Sequence, residues 1–319
     1  MPLTATRPEL YFEDRGAGDP LLVITGFAVS CAVLEPLVDL CGTRVRCITY
    51  DHPASGRSSK RAFPFSTAQL AASAVRVLDE LGIEAAHVAG LSMGGIVAQE
   101  LALRFPERVR GLILMGTSTS GAFNAPADPR KVATATASIV RGSLQRRRLW
   151  LGPAVFSPGF LEREPDRADA LLESVTNHPA PPWGIAGQLC ATGFHDRTLD
   201  LHRIRAPTLV LHGERDILVP VSNARRLAEG IPDADLHTFA GVGHAFEYER
   251  LDETFSVICD WLDRRRPVAG ERLSARAARA ERLTRPLAAP AGALRLGRSS
   301  IVLGRRALAS AGRHAQRAV

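Results

Sequence analysis

The chain is 319 residues long, with 45% hydrophobic residues, 23% charged residues and a formal net charge of +7, a balance typical of a soluble globular protein. No apolar run approaches the ~20 residues that a membrane-spanning helix needs, so the sequence predicts no such helix. The five cysteines are odd in number, scattered and without the paired spacing of a zinc site, which predicts reduced thiols and no metal.

Short β-rich runs alternate with helix-length segments over the first 116 residues. We predict strands at residues 20–25, 44–50, 87–91 and 111–115, and helices at residues 68–81 and 95–104. Near-continuous apolar strands that are separated by helices are typical of a parallel sheet covered on both faces. The sequence therefore predicts the α/β class.

The segment Gly90-Leu91-Ser92-Met93-Gly94 lies between one of these strands and the helix that follows it. A sharp turn between strand and helix lifts a serine hydroxyl above the sheet, and small residues are needed on both sides because the backbone is crowded there. The five-residue pattern alone also fits a structural turn. The strand and helix context favours Ser92 as a nucleophile.

The regular alternation stops between residues 117 and 205, where helical stretches are interrupted by prolines. We predict an inserted helical cap. Its aromatic residues include Trp150, Phe156 and Trp183, which are candidates for substrate contact. The alternative is that these aromatics form the core of the cap itself.

Alternation resumes with predicted strands at residues 207–213 and 235–239 and helices at 222–229 and 252–263. Asp216 follows the first of these strands and His244 the second. Ligand sites of open parallel sheets lie at the carboxyl ends of the strands. Because a serine hydroxyl needs a base and the base needs an orienting carboxylate, we predict that Ser92, His244 and Asp216 form a catalytic triad.

A developing oxyanion needs preorganised backbone donors. The residue after the nucleophile supplies one, here the N–H of Met93, and the turn after the strand at residues 20–25 supplies the second, here the N–H of Phe27. Loss of one such donor typically costs ~3 kcal/mol of transition-state stabilisation.

The charge is concentrated near the end of the chain. Residues 264–319 hold fourteen arginines against two glutamates, so the preceding body is mildly acidic. This basic tail, with an alanine-rich composition, would be partly disordered or form short amphipathic helices. It would bind an anionic surface such as a membrane or a granule, or remain a solvated extension; the whole-chain charge does not indicate a specific nucleic acid. Residues 1–16 lack the pattern of an export signal, so we expect a cytoplasmic protein, peripheral to a membrane if the tail attaches.

Two further motifs carry a resemblance to a known family. The stretch from Tyr50 to Ser58 resembles the turn after the fourth strand of α/β-hydrolases, and the stretch from Gly213 to Pro220 resembles their acid-bearing turn. Together with the serine motif, they identify residues 9–263 as similar to the α/β-hydrolase superfamily, and within it to enol-lactonases, cofactor-free perhydrolases and polyketide methylesterases. Two departures are Thr25, where a histidine usually precedes the oxyanion glycine, and His52-Pro53 in the turn after the fourth strand.

The resemblance implies a mostly parallel eight-stranded sheet with helices on both faces. Residues 1–116 and 206–263 would form the α/β-hydrolase core, residues 117–205 the helical cap and residues 264–319 the tail. It implies a serine hydrolase that cleaves a small or medium apolar ester or lactone through an acyl-enzyme, without cofactor. Alternatives on the same triad are a perhydrolase and a carbon-carbon bond hydrolase, and a different class is a non-catalytic ligand-binding member of the fold.

Overall fold

The fold is that of a computed structural model, which describes residues 3–60, 66–121, 130, 134, 137, 143–175 and 177–265. The predicted tail lies, from residue 266 onward, outside the described residues. Within the described residues, no helix is both long and apolar enough to cross a membrane.

A single mixed sheet organises the described part of the chain. Its seven strands are β1 (Phe12–Arg15), β2 (Pro20–Ile24), β3 (Arg46–Tyr50), β4 (Ala86–Leu91), β5 (Val109–Met115), β6 (Thr208–Gly213) and β7 (Ala234–Phe239), in the order β1-β3-β2-β4-β5-β6-β7. Only β1 runs antiparallel to its neighbour. The eight strands expected from the resemblance become seven because, at the β1 edge, Leu3 pairs with Tyr11 only as an isolated bridge.

Helices cover both faces of this sheet. Along the chain they are α1 (Glu35–Gly42), α2 (Thr67–Glu80) and α3 (Met93–Arg104) before the insertion, and α9 (Ser222–Gly230), α10 (Phe246–Glu249) and α11 (Leu251–Arg264) after it. Alternate residues of each strand point to opposite faces. On β5, Leu112 and Leu114 pack in the cluster of α2, α3 and α9, whereas Ile113 and Met115 pack in the cluster of α1 and α11.

The segment between β5 and β6 contributes five α-helices whose bounds are described, followed by a short 3-10 helix at Leu201–Arg203. The α-helices are α4 (Leu144–Trp150), α5 (Gly152–Val155), α6 (Phe160–Arg163), α7 (Pro165–Ser174) and α8 (Pro182–Gly193). Buried side chains of α5 to α7, such as Ala154, Phe160 and Leu172, belong to the same hydrophobic cluster as α1 and α11. Ile185 of α8 instead packs with Ala28, in the turn after β2. The insertion therefore lies over the edge of the sheet where the strands have their carboxyl ends.

Candidate active site

Ser92 stands between β4 and α3 in a backbone conformation that residues with side chains rarely adopt, with φ 54° and ψ −117°. Its N–H donates to the carbonyl of Met115 at 2.8 Å. Its own carbonyl accepts from the N–H of Gly95 at 2.9 Å and from Oγ1 of Thr117 at 2.7 Å. Such strain costs of order 1–3 kcal/mol and persists only where surrounding bonds hold it, as they do here.

The glycines of the serine motif are required by close backbone packing. A Cβ on Gly90 would lie 2.3 Å from the carbonyl oxygen of Gly94, and a Cβ on Gly94 would lie 2.2 Å from the carbonyl oxygen of Ile24. No side chain fits at these distances. The two glycines thus let the turn between β4 and α3 pass close to the end of β2. This brings Ser92 next to the turn that follows β2.

Asp216 and His244 form a short hydrogen bond, with 2.6 Å between Nδ1 of the imidazole and Oδ2 of the carboxylate. The other carboxylate oxygen, Oδ1, accepts from the N–H groups of Leu218 and Val219 at 2.9 and 2.8 Å. These backbone donors fix the plane of the carboxylate. The imidazole is therefore oriented by a carboxylate that is itself held in place.

His212, at the end of β6, is a second imidazole beside the same carboxylate, and its role was not predicted from the sequence. Its Nε2 lies 3.3 Å from Oδ2 of Asp216 and 2.8 Å from the carbonyl oxygen of Val219. A carbonyl only accepts, so Nε2 of His212 carries a proton and also faces the carboxylate. The sequence signal that could have identified His212 is its position four residues before Asp216, on the other side of the turn.

The charges of this cluster act on each other. Burial alone would raise the pKa of the Asp216 carboxyl, but His244 and His212 outweigh burial and lower it to about 2. Burial alone would lower the pKa of His244, but the charge and hydrogen bond of Asp216 reverse this effect and raise it. A carboxylate that stays ionised favours an imidazole that accepts protons readily, as a general base requires.

The turn after β2 runs directly beside Ser92. A Cβ on Gly26 would lie 3.7 Å from Cβ of Ser92 and 3.7 Å from the carbonyl oxygen of Leu91. Phe27 and Met93, the two predicted oxyanion donors, both line the cavity above Ser92. Both predicted donors therefore belong to the wall of the cavity that Ser92 also lines.

A cavity of about 260 Å³ opens at this edge of the sheet, and both Ser92 and His244 line it. Most of the remaining wall is apolar. Aliphatic side chains of the insertion, of the end of β4 and of the segments that follow the strands supply it: Val29, Val33, Leu91, Ile96, Leu151, Val155, Leu171, Leu172, Val175, Leu189, Leu218 and Val219. The cavity suits an apolar group that is held against one polar edge.

The three aromatic residues predicted to contact substrate lie elsewhere. Trp150, at the end of α4, is 55% exposed and Trp183, on α8, is 38% exposed. Phe156 is buried and stacks on Phe160 with 4.7 Å between the ring centroids. None of the three is among the residues that line the cavity, because the packing of the insertion turns aliphatic side chains toward it.

Glu247 is a further ionisable group in the cavity wall, and it was not predicted from the sequence. The residue is 6% exposed, and its Oε2 has no hydrogen-bond partner among the described residues. Burial raises the pKa of its carboxyl to about 7, against a smaller opposing effect of His244. The site thus holds a second carboxyl that is partly protonated near neutral pH.

Glu249 connects the histidine loop to the insertion. Its Oε1 accepts from the N–H of Gly243 at 3.0 Å and from the N–H of Ser157 at 2.8 Å, and its Oε2 accepts from the Ser157 hydroxyl. The residue before His244 is therefore tied to the inserted helices. In the described part of the chain, this site included, no group of three or more His, Cys, Asp or Glu residues is arranged to hold a metal ion.

Comparison with known proteins gives a consistent result. A family profile described as the alpha/beta hydrolase fold matches residues 19–250. A protein of Azorhizobium caulinodans that carries the name carbamate hydrolase RutD is 34% identical over 242 residues, which cover 75% of this chain and 89% of that protein. The poly(3-hydroxyalkanoate) depolymerase of Ectopseudomonas oleovorans is 32% identical over 249 residues, covering 77% and 85%. A solved thermophilic esterase from Thermogutta terrifontis superposes with a TM-score of 0.71 at 25% identity, covering 83% of this chain and 97% of the esterase.

Proposed function

The chain belongs to the α/β-hydrolase fold family, and from that premise we propose that it is a serine hydrolase that cleaves a carboxylic ester or lactone through an acyl-enzyme. Membership confirms the predicted resemblance and fold class, and hydrolytic activity agrees with the names of the relatives. The observation that carries the finer proposal is the His244–Asp216 hydrogen bond of 2.6 Å beside a cavity that Ser92 also lines.

In the proposed reaction, Oγ of Ser92 attacks the carbonyl carbon of the substrate while Nε2 of His244 takes the hydroxyl proton. Asp216 keeps Nδ1 protonated and stabilises the imidazolium that forms. The N–H groups of Phe27 and Met93 stabilise the oxyanion. His244 then returns the proton to the leaving alkoxide, and a water molecule repeats the sequence on the acyl-enzyme.

The proposed substrate class follows from the cavity. A volume of about 260 Å³ with a mostly aliphatic wall lies just below the range of about 300–1,000 Å³ that is usual for small-molecule sites. It favours a small to medium apolar acyl group over a highly charged one. The named poly(3-hydroxyalkanoate) depolymerase and esterase support an oxygen ester as the scissile bond.

Replacement of Ser92 tests the proposal. We expect Ser92→Ala to lower hydrolysis of p-nitrophenyl esters at least about 10³-fold and to prevent labelling by a fluorophosphonate probe, because no other nucleophile replaces the hydroxyl. Ser222→Ala, at the start of α9 and outside the cavity lining, is the matched control and should leave both unchanged. A folded wild-type protein that neither turns over esters nor reacts with the probe would favour the non-catalytic alternative.

A substrate panel separates the enzymatic alternatives. Acyl esters from two to ten carbons, lactones of several ring sizes, peracid formation from hydrogen peroxide, and a vinylogous 1,5-diketone would each be assayed with wild type and Ser92→Ala. We expect the highest kcat/KM for esters or lactones. A preference for the diketone would instead assign carbon-carbon bond hydrolysis to the same residues.

A further inference from the structure

One buried side chain of the insertion holds the turn that carries Phe27. Gln188, on α8, is fully buried, and its Oε1 lies 2.8 Å from the backbone nitrogen of Ala28. Since a backbone N–H can only donate, the oxygen of the amide must face Ala28. The two residues are 160 positions apart in the sequence, so the bond joins the insertion to the core beside the nucleophile.

Ala28 adopts a conformation that makes this bond important. Its φ is +61°, in the left-handed region where a residue with a Cβ is unfavourable. Ala28 is 1% exposed, so its N–H has no bulk water to bond with, and an unpaired buried N–H would be costly. Both the strained φ and the buried donor are therefore tolerated in the presence of the Gln188 acceptor.

The same turn is also held at its start, by a hydrogen bond from His52. Nε2 of His52 donates to the carbonyl oxygen of Thr25 at 3.2 Å. Burial lowers the pKa of His52 to about 4, so its ring stays neutral and the bond is kept at neutral pH. The two residues that depart from the family pattern in the sequence, Thr25 and His52, thus meet in one contact at the start of the turn.

Neither of these two bonds uses the N–H of Phe27. They take up the carbonyl two residues before it and the N–H one residue after it, and so fix the peptide planes on both sides. Gly26, between the two contacts, is the point at which the turn passes Ser92. The orientation of the Phe27 N–H relative to the serine is therefore set by bonds outside the cavity.

We propose that Gln188 is a positioning residue, which holds the Ala28 N–H so that the neighbouring Phe27 N–H is aimed at the substrate oxyanion. The proposal rests on the proposed function, in which Phe27 is an oxyanion donor. It gives the insertion a part in transition-state stabilisation as well as in enclosing the substrate. Because Gln188 does not line the cavity, its effect on catalysis acts through the turn.

The test compares three substitutions at one position. Gln188→Leu keeps the approximate volume and removes the acceptor, Gln188→Asn keeps the amide but withdraws it by one methylene, and Gln188→Glu keeps an acceptor oxygen in place. A displaced oxyanion donor affects the transition state more than the bound ester. We expect Gln188→Leu and Gln188→Asn to lower kcat about 10- to 100-fold with KM changed less than about threefold. Gln188→Glu keeps the acceptor oxygen but brings a carboxyl into a fully buried position, so we expect it to lose less kcat than either of the other two variants.

Two further measurements distinguish positioning from simple support of the fold. An alkyl boronic acid, which mimics the tetrahedral intermediate, should bind Gln188→Leu more weakly by the same factor as the loss in kcat. Amide hydrogen exchange at Ala28 should become faster in Gln188→Leu and Gln188→Asn and stay slow in Gln188→Glu, with thermal unfolding run in parallel to show that each variant folds.

The outcomes separate this proposal from the proposed function. Ester turnover by wild type together with an unchanged kcat in folded Gln188→Leu and Gln188→Asn would overturn the positioning role and leave the hydrolase assignment intact. A change in KM alone would also overturn it. Absence of ester turnover and probe labelling in wild type would contradict the proposed function itself.

Discussion

Replacement of Asp216 by asparagine is a sharp test of the acid-histidine pair, because the structure dictates how the new amide must point. Oδ1 of Asp216 accepts two backbone N–H groups, from Leu218 and Val219, at 2.9 and 2.8 Å. Only an oxygen can accept them, so the amide nitrogen would take the place of Oδ2. That position faces Nδ1 of His244 at 2.6 Å.

The consequence is a change of tautomer. The amide nitrogen donates, so Nδ1 of His244 would have to accept and Nε2 would carry the proton, which leaves the imidazole unable to take a proton from Ser92. The same substitution in a serine-protease triad lowers kcat ~10⁴-fold, equivalent to ~5.4 kcal/mol. Because the backbone donors enforce the orientation here, we expect Asp216→Asn to lower kcat for an ester about 10³- to 10⁴-fold, with KM changed less than about threefold.

The assay is steady-state hydrolysis of a short p-nitrophenyl ester between pH 6 and 9, with thermal unfolding to confirm folding. Glu214→Gln is the matched control, since Glu214 lies in the same turn and its side chain accepts from the Thr238 hydroxyl on the surface at 3.0 Å. The kcat of this variant should stay near the wild-type value. A folded Asp216→Asn protein that loses less than about tenfold in kcat would refute the tautomer argument and indicate that another group orients His244.

Three further predictions concern the cavity wall, the serine turn and the tail. The pKa of Glu247 rises from 4.5 in the unfolded chain to about 7 in the folded protein, so the folded protein binds this proton more tightly and loses stability as the pH rises from 4.5 to 7. Glu247→Gln should therefore raise the thermal midpoint by roughly 3 °C or more at pH 8 and change it little at pH 4. Equal shifts at both pH values would contradict this. Gly94→Ala would place a Cβ 2.2 Å from the carbonyl oxygen of Ile24 and should lower kcat/KM at least about 100-fold by displacing the two turns. The control is Gly82→Asn, at a left-handed residue where a Cβ would meet nothing within 4 Å, and its kcat/KM should equal that of wild type. If both variants kept wild-type kcat/KM, close packing at Gly94 would not be required for activity. A chain ending at Arg265 should no longer sediment with phosphatidylserine vesicles that bind the full-length protein, and equal, negligible sedimentation of both would eliminate attachment through the tail.

Local patterns were sufficient to predict the α/β class and most of the strands and helices of the core, although β1 and α1 were not predicted. The period of the apolar residues predicted β4 and α3, and the crowding around Gly90 and Gly94 is a local steric requirement that the motif itself expresses. Asp216 and His244 were predicted from their order and from their place after two strands, because parallel strands deliver their carboxyl ends to one edge. The hydrogen bond between them is a finding of the structure.

The contacts between distant segments were decided only by the tertiary structure. The sequence determined which residues could be nucleophile, base and acid, since those roles depend on chemical type and on position after a strand or in a sharp turn. It did not determine that Gln188 reaches Ala28 or that Glu247 is buried in the cavity wall, nor that Trp150 and Trp183 stay exposed. The physical reason is that burial and partner choice depend on how the inserted helices pack on the sheet, and helical periodicity defines a face of each helix without defining what that face meets.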